Sequence, residues 1–255
     1  MRLVQRSDAW TKLALRKSKP KNAFGEKILR AKIVLRACES IESRAVIFLP
    51  SGAPPYYYRA MFDAVPNEVL SDLQRRHAEP QRFYHDWSHV EALGSHLADA
   101  GGRVRNGEAA LYAILFHDAI YDPRAKDNER QSAALFRAVD LPLDSATRAL
   151  AEQMILATEG HSLPGIGGDD GSDIAHFLDM DLGILGASEE RFDIYEDQIR
   201  REYSHVPLDA FRKGRAAVLE SFASRERLYF SDWGRARFEE RARMNLARSL
   251  ERLRA

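Results

Sequence analysis

The sequence predicts an all-α protein, a compact bundle of about eight helices. Three observations carry that expectation. From about residue 61 onward, apolar residues recur at the three- and four-residue spacing of amphipathic helices. No alternating apolar and polar stretch of useful length follows residue 60, so strands are not expected. One segment, Ala109 to Phe116 within GEAALYAILFHDAIY, is apolar on every face, which marks a helix buried in the middle of a domain.

Taken in order, the first 60 residues stand apart from the rest. Residues 1–36 carry eleven Lys and Arg against Asp8 and Glu26, and AVIFLPSGAPPYYY then brings a Pro and Gly break and a tyrosine run. Residues 1–60 therefore read as a basic, mobile N-terminal extension to a domain over 61–255, a solvated tail rather than a presequence or a nucleic-acid-binding arm. In the domain, EVLSDLQRRH puts Val69, Leu70 and Leu73 on one face, and HVEALGSHLADA does the same with Val90, Leu93 and Leu97. The all-apolar helix follows and ends on His117-Asp118, two polar residues delivered into the interior.

Further helices are expected at 127–139, with Leu135, Phe136 and Val139 apolar, and at 144–159, with Leu150, Met154 and Ile155. LPGIGGDDGSD reads as a Gly-rich acidic loop, solvated and near a pocket mouth, without the full spacing of a calcium loop. Ser188 is a candidate N-cap for EERFDIYEDQIRREY, whose Glu189 and Glu190 suit the helix dipole. Pro207 opens a helix to about 224. Asp232 or Ser231 caps the last helix, striped by Phe238, Leu246, Leu250 and Leu253. That helix is basic, but its acids and apolar stripe suit a solvated face rather than an RNA-binding one.

Composition bounds the function classes. With 255 residues, 45% of them hydrophobic and 30% charged, the chain can bury a sizeable core and is too apolar for a disordered segment. Its 38 basic and 38 acidic residues cancel, giving no reason to expect nucleic acid as a partner. The longest apolar run falls far short of the ~20 residues of a bilayer span, so no membrane partner is expected. The single cysteine, Cys38, excludes an intramolecular disulfide and a Cys-rich zinc module and makes a reducing, cytoplasmic setting the default. A homo-oligomer stays open.

Chemistry enters with the His117-Asp118 pair, because a buried charge is costly unless it is paired or metal-bound. A divalent cation is the economical partner, with its remaining ligands coming from neighbouring helices. His89 and Asp181 are the best candidates; Asp181 is an acid set among Phe177, Leu178, Leu182, Ile184 and Leu185. His85 and His89 share a helix face if the helix already includes Tyr84. A zincin protease would need Glu after the first histidine, and Asp86 stands there. His161, after ATEG, also suits a helix C-terminus. His77, His96, His176 and His205 read as structural or solvated, and Tyr195, Tyr203, Phe211 and Trp233 as core.

The ordered set His89, His117-Asp118, Asp181 on a helical background resembles the HD-domain superfamily of metal-dependent phosphohydrolases. The phrases EPQRFYHDWSHV, ILFHDAIYDP, DNERQSA, ILATEGH, FLDMDLGILG, IRREYSHVP, GRAAVLESF and ARMNLARSL look like its branch of predicted metal-dependent HD phosphohydrolases and span roughly 61–253. The resemblance implies an HD-like bundle. It makes His89, His117, Asp118 and Asp181 metal ligands, with Asp179 as the fallback for Asp181, and His85 and His161 candidates for a second metal. It also implies hydrolysis, by a metal-activated water, of a phosphomonoester or pyrophosphate bond in a nucleotide or another small phosphorylated metabolite.

A mixed nitrogen and oxygen ligand set suits Mn, Co, Ni, Fe, Zn or Mg. Asp118 doubles as ligand and water-orienting base, and Glu129 is the candidate general acid or base, with Asp122 behind it. Arg82, Lys126, Arg130 and Arg215 are candidates for phosphate contact. The alternative is a catalytically silent nucleotide-binding or sensor module on the same ligands; a third reading is a metal-free helical scaffold.

Overall fold

One helix without a polar face organises the chain. The computed structural model describes Phe62 and residues 65–254, and the expected extension over 1–60 lies outside the described residues. These residues form an all-α bundle of nine α-helices, with no strand among them. The central one is α3 (Gly107–Phe116), in which every side chain from Ala109 to Phe116 is buried. Around it pack α2 (Trp87–Ala100), α4 (Asn128–Ala138), α5 (Ser145–Ala157) and α6 (Gly168–Asp181), preceded in the chain by α1 (Asn67–His77). Each large aliphatic or aromatic side chain buried here contributes about 1.5–3 kcal/mol.

A second apolar cluster holds α7 (Glu189–Glu202) and α9 (Asp232–Arg254) together through Phe192, Tyr195, Phe238 and Leu246. Between the clusters runs a 3-10 segment, Leu182–Gly186, which follows α6 directly and lies along α9. A Cβ at Gly186 would come within 2.7 Å of the Phe238 Cα and carbonyl oxygen, so only glycine permits this approach. The remaining helix, α8 (Leu208–Ala223), packs on α9 and buries only Leu219 among its sixteen residues.

Most helix starts follow the sequence. Asp86, Asn106, Asp144 and Ser188 each accept a hydrogen bond from a first-turn amide of α2, α3, α5 and α7. Ser231, not Asp232, caps α9, its hydroxyl accepting from the Gly234 N–H at 2.9 Å. The arginines of α9 are engaged within the chain: Arg237 pairs with Asp99, Arg248 with Glu189 and Asp193, and Arg254 with Glu220.

Two expectations are corrected. The acidic stretch 169–173 is not a loop, because α6 already begins at Gly168. Asp169 and Asp170 sit in its first turn, where the dipole favours them, and Asp173 is buried, accepting from the Arg105 and Asn106 amides at 2.8 and 2.7 Å. His85 and His89 do not share a helix face either. Asp86 caps α2 between them, so His85 belongs to the preceding loop.

Replacing Gly186 by Ala should lower stability by about 1–3 kcal/mol, since the 3-10 segment must move off α9. Urea unfolding followed by circular dichroism checks this.

Candidate metal centre

His117 arrives at the centre because α3 ends there, its N–H still closing a helical bond to the Ala113 carbonyl at 2.9 Å. Its Nδ1 donates to the Ile114 carbonyl at 3.0 Å. A carbonyl only accepts, so the proton must be on Nδ1 and Nε2 presents its lone pair outward. His89, the third residue of α2, points its own Nε2 at the same place, 3.2 Å away. Both rings are buried.

Two carboxylates complete the cluster. Asp118 Oδ2 is 3.1 Å from His117 Nε2 and 3.7 Å from His89 Nε2. Asp181, the last residue of α6, puts Oδ1 3.1 Å from His89 Nε2 and 3.5 Å from His117 Nε2. Bonds of about 2.0–2.2 Å to one ion place neighbouring ligand atoms about 3.0–3.5 Å apart. His89, His117 and Asp118 thus form a group that could hold a metal ion, and Asp181 lies against the same two nitrogens.

The electrostatics agree with a cation-seeking site. Burial resists charge on Asp118 and Asp181, but the histidines beside them outweigh it, His117 foremost, and hold both carboxyls below their ordinary range. Burial likewise disfavours a charged His117, yet the carboxylates of Asp118 and Asp181 pull its pKa well above the ordinary value. Asp179, the fallback ligand, is turned away: it accepts from the Phe230 and Ser231 amides at 2.7 and 2.8 Å and ties α6 to the start of α9.

The other expected residues divide. His161 does not reach the imidazole pair but sits behind Asp181, its Nε2 2.8 Å from Oδ2. It holds that place in a left-handed backbone conformation, φ 43°, a strain that non-glycine residues accept where their surroundings fix them. His85 stacks on Tyr121, ring centroids 4.3 Å apart, and pairs through Nδ1 with Glu202 at 2.7 Å. Burial alone would lower its pKa, but Asp118 and Glu202 raise it. Glu129, in the first turn of α4, and Lys126 line a cavity of about 750 Å³ that also contains Asp118, Asp181, His85 and His161. Asp122 does not face that cavity; it is exposed and accepts from the Arg124 amide at 2.9 Å.

Three of the arginines expected at a phosphate are engaged within the chain. Arg82 is buried, and its guanidinium donates to the carbonyls of His85 (3.1 Å), Asp118 (2.6 Å) and Ala119 (3.1 Å), with Glu79 at Nε. It positions Asp118 and His85 and spends four of its five hydrogens on these protein acceptors. Arg130 is spent on Glu159 in a two-pronged exposed pair, at 3.1 and 2.7 Å. Arg215 does line the cavity, but pairs with Glu196 and lies 5.0 Å over the Tyr195 ring.

Sequence reasoning missed Glu202. Its Oε1 accepts from the amides of Phe83, Tyr84 and His85 at 2.7–3.0 Å, and its Oε2 takes the Tyr121 hydroxyl and His85 at 2.7 Å each. Burial would raise its pKa, but these donors, His85 first, bring it down to about 2. A signal was present in the sequence. Glu202 ends α7, where the helix dipole repels an acid, so a carboxylate there needs donors from elsewhere.

Fold and site together define an all-α protein with a buried two-histidine, carboxylate cluster at the floor of a cavity. Comparison with family models, with curated proteins and with solved structures finds no match. Among the described residues no helix is long and apolar enough to cross a membrane.

Loading with Mn or Co, followed by dialysis and elemental analysis, should return bound ion for the wild type and none for His117→Ala. His161→Ala should weaken the ion by about tenfold to a hundredfold, since it loses the group that holds Asp181. Because protons compete with an ion for the imidazole nitrogens of His89 and His117, affinity should fall as pH is lowered. Glu202 predicts a separate effect. Its folded pKa of about 2 lies below the ordinary 4.5, so the stability it supplies is present above pH 4.5 and lost as pH falls toward 2. Glu202→Gln should flatten that part of the acid unfolding curve.

Proposed function

We propose that the chain is a metal-dependent phosphohydrolase of the HD type, acting on a phosphomonoester or pyrophosphate bond of a nucleotide or another small phosphorylated metabolite. The observation that carries this reading is the meeting of His89, His117, Asp118 and Asp181, far apart in sequence, around one pair of imidazole nitrogens. The single Cys38 adds a reducing, cytoplasmic setting to the reading.

A divalent cation bound there would supply a more acidic water and offset charge on the phosphoryl group. Mn, Co, Ni, Fe, Zn and Mg all suit the donor set. The protein's own groups do the rest. Asp118, beside His117 and lining the cavity, is placed to orient the attacking water, with its backbone carbonyl fixed by Arg82. Glu129 is half-buried on the cavity wall and has no hydrogen-bond partner among the described residues, which suits a group that hands a proton to the departing oxygen. Lys126 offers the cavity an uncommitted ammonium for a phosphate oxygen. His161, on the far oxygen of Asp181, holds that carboxylate in register, and His85, braced by Glu202, lines the same cavity.

The second reading is a catalytically silent sensor that binds a nucleotide on the same ligands. The two separate on the purified protein loaded with Mn or Co and offered a panel of nucleotides and a generic phosphoester. Hydrolysis that disappears in His117→Ala and Asp118→Ala, both still folded by circular dichroism, supports the enzyme. Tight ligand binding with no turnover under any ion sinks it in favour of the sensor.

A further inference from the structure

We infer that the cavity in front of the centre takes an organic monophosphate whose body is a flat, largely apolar ring system, and not a di- or triphosphate. The inference rests on the phosphohydrolase reading for the placement of the phosphoryl group at the metal ligands. Its own support comes from the opposite wall.

That wall belongs largely to α8. A sixteen-residue helix that buries one side chain contributes little to the core. Yet α8 carries Phe211, Val218 and Phe222, all three lining the cavity, and Val218 is 45% exposed. Facing them on α7 and its C-cap are Tyr195, Ile199 and Tyr203. Two of the rings have a cation over them: Arg200 lies 4.7 Å from the centroid of Phe211, and Arg225, itself in the lining, 4.7 Å from that of Phe222. These arginines are themselves anchored, Arg200 on the carbonyls of Tyr203 and Val206 and Arg225 on those of Gly160 and His161. The arrangement holds rings in place at the edge of a solvent-filled space, the setting in which a flat ligand stacks. A cavity of about 750 Å³ is ample for such a body.

Charge sets the phosphate count. Once Arg215 is paired with Glu196, and Glu159 with Arg130, the lining keeps Lys126 and Arg225 against Asp118, Asp181 and Glu129. One divalent ion turns that balance from one negative to one positive. A phosphomonoester, which carries nearly two negative charges at neutral pH, returns it to about one negative, the balance of the lining alone. Each further phosphate would bring more negative charge beside Glu129, with no uncommitted guanidinium to receive it.

Phosphonates, which cannot be hydrolysed, test this by binding alone. Calorimetry on the ion-loaded full chain, with the ion in excess, compares phenylphosphonate, methylphosphonate and the diphosphonate that carries phenyl on its bridging carbon, none of which contains an ester or anhydride bond. Phenylphosphonate should bind at least about tenfold more tightly than methylphosphonate, and the diphosphonate no more tightly than phenylphosphonate. Phe211→Ala and Phe222→Ala should each remove much of the phenyl advantage. Phe222→Leu, which keeps bulk but not the ring, should lose it too and guards against a folding artefact. Equal affinity for phenyl and methyl, tighter binding of the diphosphonate, or no binding of phenylphosphonate overturns the inference. Ion content and phosphoesterase rate on the same preparation report the functional reading separately: absent turnover with the phenyl preference intact would sink the enzyme and leave the pocket assignment standing.

Discussion

Two imidazole nitrogens held 3.2 Å apart between carboxylates, at the end of a helix with no polar face, are the constraint that the surrounding polar structure serves. Hydrocarbon cannot carry such a cluster unaided, because each ionised group loses its hydration and must be repaid by partners of opposite charge or by donors of fixed direction. Around the cluster those partners are unusually complete. Arg82 and Glu202, both with fully buried side chains, clamp the short loop before α2 from two sides. The guanidinium joins that loop to the turn after α3, and the carboxylate gathers three consecutive amides of the loop. His85, Asp118 and Tyr121 owe their positions to this pair of opposite charges.

The molecule divides its labour between two kinds of packing. The helices around α3 form a close apolar cluster that fixes His89, His117 and Asp181 from three different elements, which is what a metal site needs for its ligand geometry. The other flank of the cavity is made by the 3-10 segment, α7 and α8, and α8 fully buries only Leu219. Candidate ligands fixed by the apolar cluster on one side thus face aromatic side chains across the cavity.

The arginines show why composition says little about a charged ligand. Arg82, Arg130 and Arg215 each look available in the sequence, and each is consumed by carbonyls or a carboxylate close by. A guanidinium has five directed hydrogens and finds acceptors within its own fold before it meets a ligand. Lys126, with a compact charge on a flexible stem at the cavity rim, escapes that fate.

By itself the sequence determined the all-helical class, the buried identity of α3 and the order of the four candidate ligands. Periodicity of apolar residues and the cost of a polar pair after eight apolar positions are local properties, legible without coordinates. The caps at Asp86, Asn106 and Asp144 depended on which side chains actually turn back to the amides, while α6 starts early without a side-chain cap. Only the tertiary structure decided that Asp181 rather than Asp179 faces the histidines, that His161 stands behind Asp181, and that Glu202 gathers the loop of His85. Those outcomes turn on the rotation of α6 against α2 and α3 and on meetings between residues more than a hundred positions apart. A linear sequence states which groups need partners; which partner each one reaches is set by the packing of the helices that carry them.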